Sequence, residues 1–138
     1  MANWLYPANT QYHDVLGAFS KKTVYWPAKT KVSKGDKIYI YLAAPHKQIA
    51  FIGEVTQVDI TEESVIEDIK RFFKQLPKKK GEPTPFMKIG KIQRVDIEAD
   101  SPLALSSLKT HGLRGMLMGP RNLENNQTLL NYFQEELE

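Results

Sequence analysis

Cysteine is absent from the 138 residues, and histidine occurs only as His13, His46 and His111, scattered along the chain. These shortages exclude a thiol nucleophile and a disulfide framework and leave too few ligands for a zinc site, so neither a metal nor a cofactor is expected. No apolar run approaches the roughly 20 residues that span a bilayer, and the start, MANWLYP, lacks the basic head and apolar segment of a secretory signal. A cytoplasmic chain with no membrane association is the expectation. Neither sign of charge dominates: 19 Lys and Arg against 16 Asp and Glu leave a net charge of +3. Such a balance tolerates a polyanionic partner without demanding one. Phosphate-cradling glycine loops, the dinucleotide fingerprint and the Gly-x-Ser-x-Gly elbow are also missing, which removes the commonest nucleotide-hydrolysing, dehydrogenase and esterase classes.

What is present is the pattern of one compact domain over 1–138 with 41% apolar residues, enough for a real core. NWLYP reads as an opening strand, and the Asn9-Thr10-Gln11 turn as the cap of a short helix over 12–19. TVYW is strand-like, with Pro27 ending its ladder for want of an N–H. After the VSKGD turn, KIYIYLAA alternates, with Ile38, Ile40 and Leu42 on one face and Tyr39 and Tyr41 on the other, so both faces are expected to be covered. IAFIGEVTQVDI is a long strand broken at Gly53, and FMKIGKIQRVDIEA repeats that design at Gly90; a glycine inside a strand marks a bulge or bend.

Helices are predicted over 61–76, with Thr61 as cap and apolar residues at helical spacing; from Ser101 as cap and Pro102 as first helical residue to near Gly112; and at the C-terminus, where Leu129, Leu130, Phe133 and Leu137 share a face. Between the last two, HGLRGMLMGPRNL is too rich in glycine to be regular. Strands interspersed with helices, without regular βαβ alternation, give an α+β domain built on a small, bent, mostly antiparallel sheet or barrel flanked by short helices.

Catalytic constellations do not emerge. Glu62 and Glu63 suit the N-terminus of a helix, and Asp96 and Glu98 an exposed strand face. His111 suits a helix C-terminus. Lys78, Lys79 and Lys80 form either a solvated loop or a set of phosphate contacts. Seven aromatics, Trp4, Tyr6, Tyr12, Tyr25, Trp26, Tyr39 and Tyr41, crowd the first third of the chain. Trp26, directly before Pro27 at a strand exit, serves equally well as a core residue or as a surface for a ligand.

The opening NWLYPANTQYHDV, the block YWPAKTKVSKGDKIYIYLAAPHKQIAFIGEV and the closing GLRGMLMGPRNLENNQTLLNYF, in this order and spacing, resemble the EVE domains of the PUA-like superfamily, relatives of the YTH and ASCH domains. The resemblance covers nearly the whole chain and is weakest over 61–85. It implies a bent β-barrel flanked by helices, with a pocket between barrel and first helix that holds a methylated base flipped from its strand. Aromatic walls and edge-reading polar groups suit such a ligand.

Carried over by position, Trp26 becomes a wall of that pocket, Tyr12 a second wall, Asn9 an edge reader, and Arg121 a contact to phosphate or base. The chain departs from the family in lacking the acid of a Ser-Glu-Pro turn and in carrying Asn122-Leu123 for Leu-Ser, which bears on which base is read. The function implied is a non-catalytic, monomeric module that binds DNA or RNA through a modified base, with Lys78, Lys79 and Lys80 on the backbone. Two alternatives stand beside it: a sensor or enzyme that uses the same pocket for a free nucleoside or other small molecule, and an interaction module with an empty, degenerate pocket, which Trp26 packed inward against the barrel would favour.

Overall fold

The computed structural model describes residues 2–9, 14–28, 30–43, 46–69, 72, 85–95, 101–115, 117 and 119–137. Six strands form one mixed sheet: β1 (Asn3–Ala8), β2 (Val24–Pro27), β3 (Lys37–Leu42), β4 (Gln48–Ile60), β5 (Phe86–Arg94) and the two-residue β6 (Arg121–Asn122). Their order is β2-β5-β4-β3-β1-β6, open and curled, with β2 and β6 at the edges. Every neighbouring pair is antiparallel except β1 and β3, which run parallel with Trp4 opposite Ile38 and Tyr6 opposite Ile40. The helices are α1 (Val15–Ala18), α2 (Glu62–Ile69), α3 (Leu105–Thr110) and α4 (Gln127–Leu137). The mostly antiparallel α+β architecture read from the sequence is the one observed.

The alternation of β3 organises the interior. Ile38, Ile40 and Leu42 enter one apolar cluster with Tyr6, Val15, Phe19, Trp26, Phe51 and Ile89. Tyr39 and Tyr41 enter a second, roofed by Leu108 of α3 and Leu129, Leu130 and Phe133 of α4. Both faces of this strand are therefore covered, which is why its residues 38–42 are all buried. A third, smaller cluster lies beneath α2 and joins Ile60, Val65, Ile69 and Phe86.

Gly53 and Gly90 act as the sequence implies. A Cβ at Gly53 would lie 2.3 Å from Ile89 Cγ2, and one at Gly90 3.0 Å from Thr56 Cγ2; the β4–β5 register shifts between Ile52 and Glu54. A side chain at Gly53 would have to displace Ile89, whereas one at Gly90 would need Thr56 to give way only slightly. The register shift is the irregularity that glycines in these strands imply. At the VSKGD turn, Gly35 takes φ +95°, a backbone region open to glycine. Asp36 then turns inward, its carboxylate accepting from the Ala2 and Ser33 N–H groups and from Trp4 Nε1, at 2.9, 2.9 and 3.0 Å.

Several boundaries differ from the sequence reading. The first helix begins at Val15, with Asp14 as its cap accepting from the Gly17 N–H; a carboxylate three residues past the expected turn fills the role. Pro27 is the last residue of β2, as expected, though it still pairs with Phe86 and the Ala28 N–H beyond it donates to the Pro85 carbonyl. An edge strand tolerates proline where the missing donor would face outward. Ser101 does not cap α3: Ala104 holds that position, while the Ser101 hydroxyl accepts from the Leu103 N–H in the preceding turn. Within the glycine-rich segment before α4, Arg121 and Asn122 do pair with β1. The expected helix over 61–76 is seen as α2, and the residues past Ile69 other than Phe72 lie outside those described.

Candidate functional site

β2 lies at the edge of the sheet, so the two sides of one strand border the same surface. Trp26 and Val24 point into the first cluster, and Tyr25, between them, packs against the cluster under α2. α1 closes one flank. Its entry is tied to the segment after α2 by a hydrogen bond from the Asp14 N–H to the Phe72 carbonyl, 2.6 Å. These elements enclose a cleft of about 240 Å³ lined by Ala18, Lys21, Tyr25, Trp26, Asp68 and Phe72, among others.

The cleft has aromatic walls with charges at its rim. Trp26 is only 4% exposed and its ring stands 5.3 Å from that of Phe19, so its body belongs to the core and only its margin reaches the cleft. Tyr25 and Phe72 are half-buried and carry the ring surface that a ligand can meet. Each has an ammonium above it: Lys21 Nζ is 4.8 Å from the Phe72 centroid and Lys88 Nζ 5.8 Å from that of Tyr25. Asp68, exposed on α2, supplies a carboxylate acceptor.

A larger groove of about 360 Å³ lies among Asn3, Lys37, Gly53, Glu54, Lys91 and Gln93, yet no aromatic residue lines it. Its Lys91 is paired with Glu54 at 3.2 Å. A planar ring gains most from π-faces, so lining, rather than volume, singles out the β2 cleft as the candidate site.

Solved structures with this architecture include a protein of Pseudomonas putida at 13% identity (TM-score 0.63, covering 97% of this chain and 98% of that one). A Leishmania major protein matches at 16% identity (TM-score 0.62, covering 98% and 93%). The ASCH protein of Zymomonas mobilis matches at 11% identity (TM-score 0.56, covering 94% of each). The fold is ASCH-like, of the PUA type. No family model and no curated protein matches the chain. The domain named among these neighbours is ASCH, and none of them carries the name of the EVE domain expected from the sequence.

On this ASCH-like frame the expected site residues are dispersed. Trp26 lines the cleft. Asn9 is exposed directly after β1. Arg121 sits on β6, where Nη1 donates to the Arg114 carbonyl, with four strands between it and β2 in the sheet order. Neither Asn9 nor Arg121 is among the cleft's lining residues. Tyr12, Lys78, Lys79 and Lys80 lie outside the described residues. Sequence reasoning missed Lys21, Tyr25, Asp68 and Phe72 as a set. The one available signal was Pro27, which marks β2 as an edge strand and hence places its neighbours on a border.

Among the described residues, no helix is long and apolar enough to cross a membrane.

Proposed function

We propose that this chain is a nucleic-acid-binding module, without catalysis of its own, that accepts a single flipped base in the β2 cleft and favours a methylated one. The observation that carries this reading is the cleft itself: Tyr25 and Phe72 offer ring faces, Trp26 a margin, and Asp68 an acceptor, within about 240 Å³. That volume falls below the roughly 300–1,000 Å³ of pockets for drug-sized ligands, which suits one base better than a longer segment of strand. A base entering it trades stacking in its own strand for stacking on side chains, each such contact being worth about 1–3 kcal/mol. A methyl group on its ring adds apolar surface against the same walls, about 0.8 kcal/mol when fully buried. Asp68 takes the edge-reading role, because a carboxylate accepts from the exocyclic amino group of cytosine or adenine.

Titration of labelled oligonucleotides carrying one methylated cytosine or adenine, beside unmodified controls, tests the proposal. Tighter binding of a modified strand, lost in Asp68→Ala and Tyr25→Ala, is the expected result. Equal binding of all strands would refute it. Tighter binding of the free methylated nucleoside than of the strand would point instead to a small-molecule sensor.

A further inference from the structure

We infer that Lys21 and Lys88 are the phosphate contacts on either side of the bound base, each resting on an aromatic ring in the free protein and transferred to the backbone when a base takes that ring. The inference rests on the base-binding reading of the β2 cleft and names the residues that engage the rest of the strand. Two observations carry it. First, Phe72 and Tyr25 each have a lysine ammonium over the ring, at 4.8 and 5.8 Å. Second, among the described residues neither ammonium has a carboxylate at ion-pair distance, in contrast with Lys91, 3.2 Å from Glu54.

The two lysines come from different elements. Lys88 is the cross-strand partner of Tyr25 in the β2–β5 register, so its stem lies along the same face. Lys21 belongs to the turn after α1 and is exposed. One cation therefore borders each of the two ring walls. Lys21 is exposed and Lys88 half-buried, and an ammonium that water still reaches gains less from a ring than a stacked base does, so a base displaces it. Once displaced, the ammonium remains within a side chain's length of the ring, where the phosphates adjoining that base must pass. The exchange forms no covalent bond; it replaces two weak cation–π contacts by base stacking and two ion pairs, with release of the counterions that the phosphates had condensed.

The test is the salt dependence of binding to a single-stranded oligonucleotide with one methylated base, for the wild type, Lys21→Met and Lys88→Met, with Lys34→Met in the VSKGD turn as control. Methionine keeps an apolar stem and removes the charge. Lys21→Met, in the cleft lining, and Lys88→Met, beside it over Tyr25, should each lower the slope of log K against log salt by about 0.7. Between about 50 and 200 mM salt, the wild type then loses about threefold more affinity than either variant. Lys34→Met should keep the wild-type slope, and the free methylated nucleoside, having no phosphate, should bind each variant with the same salt dependence as the wild type. Slopes unchanged in both cleft variants would overturn the assignment and leave the base-binding reading intact. Lowered slopes without preference for the methylated strand would support the phosphate contacts and overturn that reading. Absence of any oligonucleotide binding would overturn both.

Discussion

Trp26 and Tyr25 are chain neighbours with different tasks. Trp26 is 4% exposed and packs on Phe19, so Trp26→Ala opens a cavity in the first cluster and should cost about 3–5 kcal/mol of stability in urea unfolding. Tyr25 is half-buried at the rim of the cleft; Tyr25→Ala should leave more of the stability and remove about 1–3 kcal/mol of oligonucleotide binding. Binding lost in a fully folded Trp26→Ala, with Tyr25→Ala binding normally, would reverse these assignments. At Asp36, burial pushes the carboxyl upward, but donation from Ala2, Ser33 and Trp4 outweighs it and holds the group below its ordinary value. A carboxylate depressed in the folded state contributes stability that is present above its unfolded pKa and lost as pH falls through the folded one. The loss should therefore lie below about pH 4. Asp36→Asn, which turns an amide N–H toward existing donors, should cost about 1–3 kcal/mol at neutral pH and flatten the acid limb of a stability–pH curve; an unchanged limb would show that Asp36 does not set it.

At the scale of elements, α4 owes its start to Asn126, whose Oδ1 accepts from the Leu129 N–H while Nδ2 donates to the Gly112 carbonyl. Asn126→Ala should cost about 0.5–2 kcal/mol, measured by thermal unfolding; Gln127→Ala, on the exposed surface of the same turn, should cost less. The apolar face of α4 was legible from its spacing, and so was β3, because a period of 2 leaves only one way to divide Tyr39 and Tyr41 from Ile38, Ile40 and Leu42. Gly53 and Gly90 announced the irregularity of the β4–β5 pairing through an equally local signal, a glycine inside a strand. Caps were less legible: Asp14 and Ala104 stand at the starts of α1 and α3, where the Asn9-Thr10-Gln11 turn and Ser101 offered plausible alternatives. The parallel pairing of β1 with β3 had no local signal at all, since Asn3 and Lys37 meet only through the fold. The cleft shares that fate. Lys21, Tyr25, Asp68 and Phe72 come from a turn, a strand, a helix and the segment after it, and nothing in their spacing joins them.

For the whole molecule, the question is whether two cores make two units. β3 and β4 belong to both: Ile40 and Phe51 lie in the first cluster, while Tyr39 and Ile52, one residue away in each case, lie in the second. β4 continues to Ile60 in the third cluster, so one 13-residue strand crosses all three. Losing the packing on one face of β3 or β4 frees the backbone that presents the other face, and neither cluster can dissolve alone. Unfolding should accordingly be one cooperative transition, as is usual for single domains of this size. Trp4 and Trp26 report the first cluster, which contains Trp26 and against which Trp4 packs, while helical circular dichroism is weighted toward α4, the longest described helix, on the second. Coincident urea transitions by indole fluorescence and by circular dichroism are expected. A helical signal lost at lower urea than the fluorescence would divide the chain along β3 and β4, and the β2 cleft, built wholly on the first and third clusters, would then persist after α3 and α4 had melted.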